Sequence, residues 1–171
     1  MVELSWSSPT IEIAEVNAVQ QVGLRLRPPF PAYLAGVPLP LAANRVAATG
    51  TLRTLWLGPD EWLVVAEGET GLLPRLERAL TGRRALLSDL SSSRVILAIG
   101  GSAARALLAA GCGLDLHPRA FGPGQCAQTL FARLPVILDQ LDEAPHYRLL
   151  VQRSYARWLY AWLIDAAEGL R

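Results

Sequence analysis

The sequence predicts an α+β protein with antiparallel sheets and helices packed on one side, and three observations lead there. Runs with the apolar character of strands are broken by Gly, Pro and Asp, the residues of tight turns. Each half of the chain then closes on a helical apolar period, Leu72–Leu80 in the first and Tyr155–Ala167 in the second. Both halves follow one order: strand, helix, two strands, helix. That order describes two split-βαβ (ferredoxin-like) repeats. The expected organisation is an N-terminal arm over residues 1–18 and a single domain over 19–171, with repeats at about 19–82 and 85–168.

In chain order, residues 1–18 show no clear period and read as a loosely attached arm. VQQVGLRL (Val19–Leu26) places Val22, Leu24 and Leu26 on one face of a strand that Arg27-Pro28-Pro29 ends. A short helix is expected around Pro31 to Gly36, followed by a Pro- and Ala-rich loop. Leu52–Leu57 and Glu61–Ala66 are strands joined by Gly58-Pro59-Asp60, where Pro presets φ and Asp caps the local backbone. The next helix lines up Leu72, Leu73, Leu76 and Leu80 and stops at Gly82, with Arg83 and Arg84 at its negative end.

The second half opens with the extended segments ALLSDLSS and RVILAIGG, and Val95, Leu97 and Ile99 share a side of the latter. Ser102 is expected to cap the helix AARALLAA, which Gly111 ends. Strands follow near Gln125–Arg133, Pro135–Leu141 and Tyr147–Gln152. The last helix starts at Ser154 and sets Tyr155, Trp158, Leu159, Trp162, Leu163 and Ala166 along one face, with Tyr160 and Ile164 widening the apolar arc.

Composition narrows the function classes. Hydrophobic residues make up 51% of the 171 positions and charged residues 18%, where about 25% charged is usual. Permanent interfaces show this charge deficit, together with aromatics and Arg. The five tryptophans fit that picture, although Trp is also a common core residue. All sixteen basic residues are arginine. The absence of lysine excludes Schiff-base catalysis and lysine grips on phosphate. A net charge of +1, with arginines spread along the chain, offers no footprint for nucleic acid. No apolar run reaches the roughly 18–20 residues of a membrane span. The opening MVELSWSSPTIEIAEV lacks a basic start and an apolar stretch of signal-peptide length. The expectation is a cytoplasmic chain with neither membrane nor nucleic acid as partner.

The chemistry-bearing residues gather in GCGLDLHPRAFGPGQCAQTLFARLPVIL (Gly111–Leu138). Cys112, His117 and Cys126 give a C-x4-H-x8-C spacing. Structural zinc takes four ligands, with pairs two to four residues apart, and His146 stands too far along to complete such a motif. A thiol nucleophile would need a base and an electropositive setting. The apolar neighbours favour buried, inert cysteines instead, and His117 before Pro118 favours a turn-fixing hydrogen bond. The segment therefore reads as a structural corner. Gly100-Gly101-Ser102 joins a strand to a helix as a phosphate loop would, but matches neither G-x-G-x-x-G nor a Walker motif. Asp89 with Ser91, Ser92, Ser93 and Arg94 reads as a turn held by local side-chain bonds. Asp60 and Glu61 are neighbours pointing to opposite sides, which suits a solvated turn better than an acid–base pair.

LWLGPDEWLVV (Leu55–Val65), the Gly111–Leu138 phrase and RSYARWLYAWLIDAA (Arg153–Ala167) resemble the gamma subunit of heterotetrameric sarcosine oxidase. The likeness runs from about Leu24 to the C-terminus, and the first 20 residues carry no such signature. It implies a place in an oxidase that demethylates sarcosine to glycine and passes the one-carbon unit to tetrahydrofolate. The implied partners are alpha, beta and delta subunits. Alpha and beta are implied to carry FAD, FMN, NAD and the tetrahydrofolate site, and delta to carry zinc. This chain is then implied to be a non-catalytic assembly subunit with no cofactor or metal of its own, so its status as an enzyme in its own right stays open. Interface candidates are Trp56, Trp62, Trp158, Tyr160 and Trp162.

A second likeness, carried by DLSSSR, GGSAARALLAAG, LDL, PG and QTL, is to the folate-binding domain of the glycine-cleavage aminomethyltransferase. It places Asp115 where that family has a catalytic aspartate. Gly113-Leu114 stand where the family has Thr-Asn, and its other folate contacts find no match. The fold is implied to be related without its site. The alternative reading is a free-standing, tetrahydrofolate-dependent aminomethyltransferase-like protein.

Overall fold

The computed structural model describes residues 4–170. It divides into two compact units, one formed by the residues up to Val16 together with those from Ser93 onward, the other by Asn17–Ser92. The first elements are two short antiparallel strands, β1 (Ser5–Ser7) and β2 (Glu12–Glu15). Here the structure departs from the expected loose arm. Ile13 lies opposite Ile99, and Ile11 and Ile13 are each only 1% exposed. Alternation of Ile11 and Ile13 with Glu12 is a period-two signal, but it spans a single turn of pleat and its partner strand lies more than eighty residues on. Residues 1–3 of the expected arm lie outside the described residues.

The Asn17–Ser92 unit holds β3 (Val19–Leu26), the short pair β4 (Tyr33–Leu34) and β5 (Val37–Pro38), then β6 (Val46–Thr49), β7 (Leu52–Gly58), β8 (Glu61–Glu67), helix α1 (Leu72–Ala79) and β9 (Ala85–Asp89). Its five-stranded sheet has the order β6-β7-β8-β3-β9, with every pairing antiparallel. The helix expected around Pro31 to Gly36 is instead the β4–β5 hairpin. Ala35 and Gly36 both take positive φ, 50° and 80°, which makes a two-residue loop that a helix cannot contain. β9 pairs with β3 and so belongs with the first half of the chain, not the second.

One face of this sheet carries Val22, Leu24 and Leu26 from β3 and Trp62, Val64 and Ala66 from β8, packed with Leu72 and Leu76 of α1. Burial of each valine and leucine here stabilises by about 1.5–3 kcal/mol. Trp62, 1% exposed, donates its indole N–H to the Pro40 carbonyl at 2.8 Å and meets the Phe30 ring edge-on at 5.2 Å. A buried indole needs such an acceptor. Gln20 of β3 accepts the Leu72 N–H through Oε1 at 2.9 Å. That side chain satisfies one of the four orphan amides at the start of α1.

From Ser93 onward come β10 (Arg94–Gly100), α2 (Ala104–Gly111), β11 (Cys126–Phe131), β12 (Leu134–Gln140), β13 (Tyr147–Gln152) and α3 (Arg153–Glu168). With β1 and β2 they form a six-stranded antiparallel sheet of order β1-β2-β10-β13-β12-β11. Alternate residues of one face, Val95, Leu97, Ile99, Val136, Leu138, Leu149 and Val151, pack with Leu107 and Leu108 of α2 and Ala156, Leu159 and Leu163 of α3. Ser102 does not cap α2. The residue before the helix is Ala103, and no side chain caps there.

The apolar stripe of α3 is rotated from its expected phase. Ala156, Leu159, Leu163 and Ala167 are buried, whereas Tyr155 is 39% and Trp158 52% exposed. Two stripes one residue apart share the same period, and the small Ala156 lets the helix approach the sheet on its own side.

Gly101 sets the most severe steric limit on this unit. Its φ is +107°, and a Cβ there would collide with the Thr10 carbonyl. Gly101→Ala should lower unfolding stability by about 2–4 kcal/mol through strain and clash together. Urea unfolding followed by circular dichroism measures this, and an unchanged midpoint would show that the Thr10 strand link yields freely.

Candidate functional site

The Gly111–Leu138 segment is built around close packing. A Cβ on Gly111 would lie 2.7 Å from Phe131 Cζ and 2.9 Å from Trp162 Cη2. The two rings meet edge to face, with centroids 5.1 Å apart and planes at 87°. The Ala132 N–H donates to the Gly111 carbonyl at 2.8 Å, and Cys112 bridges Phe131, so the end of α2 is pinned to β11.

The site residues singled out in the sequence serve this corner and the turns around it. Cys112 and Cys126 are buried and outside any disulfide, and Cys112 Sγ lies 3.8 Å from Thr129 Oγ1. His117 is exposed, and its Nδ1 accepts the Arg119 N–H at 3.2 Å. Asp115 is exposed and accepts the His117 N–H through Oδ1 at 2.9 Å, an Asx turn. Among the described residues no three His, Cys, Asp or Glu side chains stand close enough to share a metal ion.

Other motifs resolve the same way. The Ala103 N–H at the start of α2 donates to the Thr10 carbonyl at 3.1 Å, so that amide is already taken where a phosphate loop would offer it. Asp89 accepts both the Ser91 hydroxyl, at 2.6 Å, and the Ser91 N–H, at 2.9 Å. The hydroxyl bond first and the amide bond second hold the Asp89 carboxyl below its ordinary range. Ser91 Oγ in turn accepts the Gln21 N–H at 3.0 Å, tying the turn to β3. Glu61 accepts from Arg25 at 2.6 Å, whereas the neighbouring Asp60 meets β3 through its carbonyl and the Leu26 N–H.

The five interface candidates separate by exposure. Trp62 is a correction: at 1% exposed it is a core residue and presents no surface to a partner. Trp56 and Trp162 are half-buried against the cores of their own units. Tyr160 is half-buried too, and desolvation pushes its phenol pKa up. Trp158 projects outward.

Two features escaped the sequence. His146 Nδ1 lies 2.8 Å from an Asp142 carboxylate oxygen in an exposed pair, across a five-residue span that shows no motif. Arg25, Arg27 and Arg84 line one cleft with Asp60. Arg84 is far from the other two along the chain, and only the β3–β9 pairing brings it there.

These placements define a sheet-rich α+β chain in which Asp115, His117, Asp89 and Ser91 are engaged in turns. Its family follows from comparison with known proteins. The chain belongs to the sarcosine oxidase gamma subunit family, whose profile matches residues 30–169. The sarcosine oxidase subunit gamma of Corynebacterium sp. (strain U-96) is 39% identical over 163 residues, 91% of this chain and 78% of that one. The subunit gamma of Arthrobacter sp. is 37% identical over 163 residues, 91% and 79% of the respective chains. A chain of the heterotetrameric sarcosine oxidase from Corynebacterium sp. U-96, solved with pyrrole 2-carboxylate, superposes with a TM-score of 0.87 at 35% identity, over 97% of this chain and 88% of that one. Glycine cleavage system aminomethyltransferase T from Bartonella henselae superposes with a TM-score of 0.65 at 15% identity, over 91% of this chain and 45% of that one. It shares the fold alone. Among the described residues no helix is long and apolar enough to cross a membrane.

The lowered Asp89 pKa carries a pH signature. Because the folded value lies below the unfolded one, the charge contributes stability above the unfolded carboxyl pKa of about 3.9 and loses it as pH falls through the folded value. The stability gap between wild type and Asp89→Ala should therefore be full at neutral pH and narrow in acid. Chemical unfolding across pH measures it, and a gap that widened in acid would contradict the assignment.

Proposed function

We propose that this chain is the gamma subunit of a heterotetrameric sarcosine oxidase and acts there as a structural, non-catalytic subunit. The observation that carries this is the superposition at TM-score 0.87, over 97% of the chain, on a chain of such an oxidase at 35% identity. The site geometry supports the non-catalytic part. Asp115, the one residue with a catalytic precedent, holds a turn, and both cysteines are buried in packing.

On this reading the alpha, beta and delta subunits are the partners, in the cytoplasm. FAD, FMN, NAD, tetrahydrofolate and zinc reside on them, and sarcosine becomes glycine there. The exposed Trp158 and Tyr155 on α3 supply contact surface of the kind that dominates interfaces. We also propose that the two halves of residues 19–171 are structural repeats within one domain, supported by the antiparallel sheet and flanking helix that each unit has.

Tagged chain isolated from its own cells should bring down two large subunits and a small one in a yellow, flavin-bearing eluate. A colourless eluate containing this chain alone would overturn the assignment. Asp115→Asn should leave turnover of the assembled oxidase within about twofold of wild type, since a surface turn contributes little. A hundredfold fall with assembly intact would instead make Asp115 catalytic. Trp158→Ala should weaken assembly by about tenfold or more if this tryptophan is an anchor. Wild-type affinity by native mass spectrometry would remove α3 from the contact surface.

A further inference from the structure

β9 ends the five-stranded sheet, and among the described residues no strand pairs with its outer edge. Natural edge strands are blunted with charge, Pro or bulges. β9 reads Ala-Leu-Leu-Ser-Asp, with its only charge at the far end. Leu87 turns toward the core, and its neighbour Leu86 is 60% exposed.

Beside Leu86 is a cleft of about 310 Å³ lined by Arg25, Arg27, Arg84 and Asp60. Arg25 is paired with Glu61 at 2.6 Å. Among the described residues the side chains of Arg27, Arg84 and Asp60 make no ion pair or hydrogen bond, so two free guanidiniums stand against one carboxylate. Backbone pairing holds them together, with the Arg27 N–H donating to the Arg84 carbonyl at 3.1 Å. Arginine is the side chain suited to bidentate carboxylate recognition. An open strand edge supplies the backbone half of strand addition, and an apolar side chain with flanking cations supplies its specificity.

We propose that the β9 edge and its arginine cleft form a docking strip for an extended, carboxylate-bearing segment of another subunit of the assembly. This rests on the subunit reading above and names the surface and chemistry by which one contact is made. Charge complementarity selects the occupant. A second copy of this strip would bring the same two cations against themselves, and a basic segment would be repelled.

The test places a photo-crosslinking p-benzoylphenylalanine at Leu86 in the purified, flavin-bearing assembly and maps the linked peptide. A link to a segment of another subunit carrying two or more carboxylates is expected. A link to a second copy of this chain, a link to a segment without carboxylates, or no link from an intact assembly each overturns the proposal and leaves the subunit reading standing. Failure of unmodified chain to recover with flavin-bearing partners would overturn the subunit reading, and this proposal with it. Independently, Arg27→Glu/Arg84→Glu should weaken assembly by about tenfold, equivalent to about 1.4 kcal/mol. Arg27→Lys/Arg84→Lys, which keeps the charges but loses the bidentate fork, should weaken assembly less than the charge reversal does, and Arg78→Glu, outside the cleft lining, should stay near wild type. Equal affinity for the charge-reversed and wild-type chains would overturn the proposal.

Discussion

The absence of a side chain at Gly111 is the constraint on which the packing of the larger unit depends. Phe131 is fully buried, and its ring and that of Trp162 occupy the space a Cβ would need. One residue thus joins the end of α2, the end of β11 and the middle of α3. The chain around it follows from that contact. Cys112, next to the glycine, is buried, and its backbone bridges Phe131. The β11–β12 turn must then be tight, and Ala132 and Arg133 both adopt positive φ, 46° and 70°, to make it. Positive φ in two non-glycine residues is strained, and the pairing of β11 with β12 on one side and with Gly111 on the other holds it in place.

What was legible in the sequence was period, and what was not was phase and partner. The strands at Val19–Leu26, Glu61–Ala66 and Tyr147–Gln152 emerge with bounds close to those read from alternation and turn residues. α1 emerges with its leucine face inward, because only one apolar stripe exists on it. α3 has two stripes one residue apart, and the choice between them rests on how closely Ala156 can approach the sheet, a tertiary fact. β2 and β9 were misplaced for the same reason. A strand of four or five residues carries too few alternations to declare its sheet, and β2 pairs across more than eighty residues of chain.

The candidate site followed the same logic. Asp115, His117, Asp89 and Ser91 are reactive types in suggestive spacings, and each side chain makes a hydrogen bond within two residues, with that of Ser91 alone of the four also reaching a distant strand, through Gln21. Short range is the property of Asx and related turns, and it shows faintly in sequence as polar residues beside Gly and Pro. Gln20 has the opposite character. Its bond to Leu72 spans 52 residues, and no local pattern could have announced it. The same holds for the arginine cleft, whose members are ordinary arginines until the β3–β9 ladder sets Arg84 beside Arg27.

Exposed large apolar residues lie on α3 and on β9. Single exposed apolar residues are normal and carry no argument. The weight lies in combinations. Tyr155 and Trp158 lie three residues apart on α3, so both face solvent from one side of a helix whose opposite side is core. Leu86 lies opposite Arg25 in the register, at the lip of a cleft with two unmatched guanidiniums, on a strand whose outer edge is open. An apolar anchor beside unmatched charge gains nothing for a solitary chain: water solvates the arginines, while the leucine and the indole remain wet. Both become favourable only when a partner covers them, which is the condition under which a subunit of a larger oxidase exists.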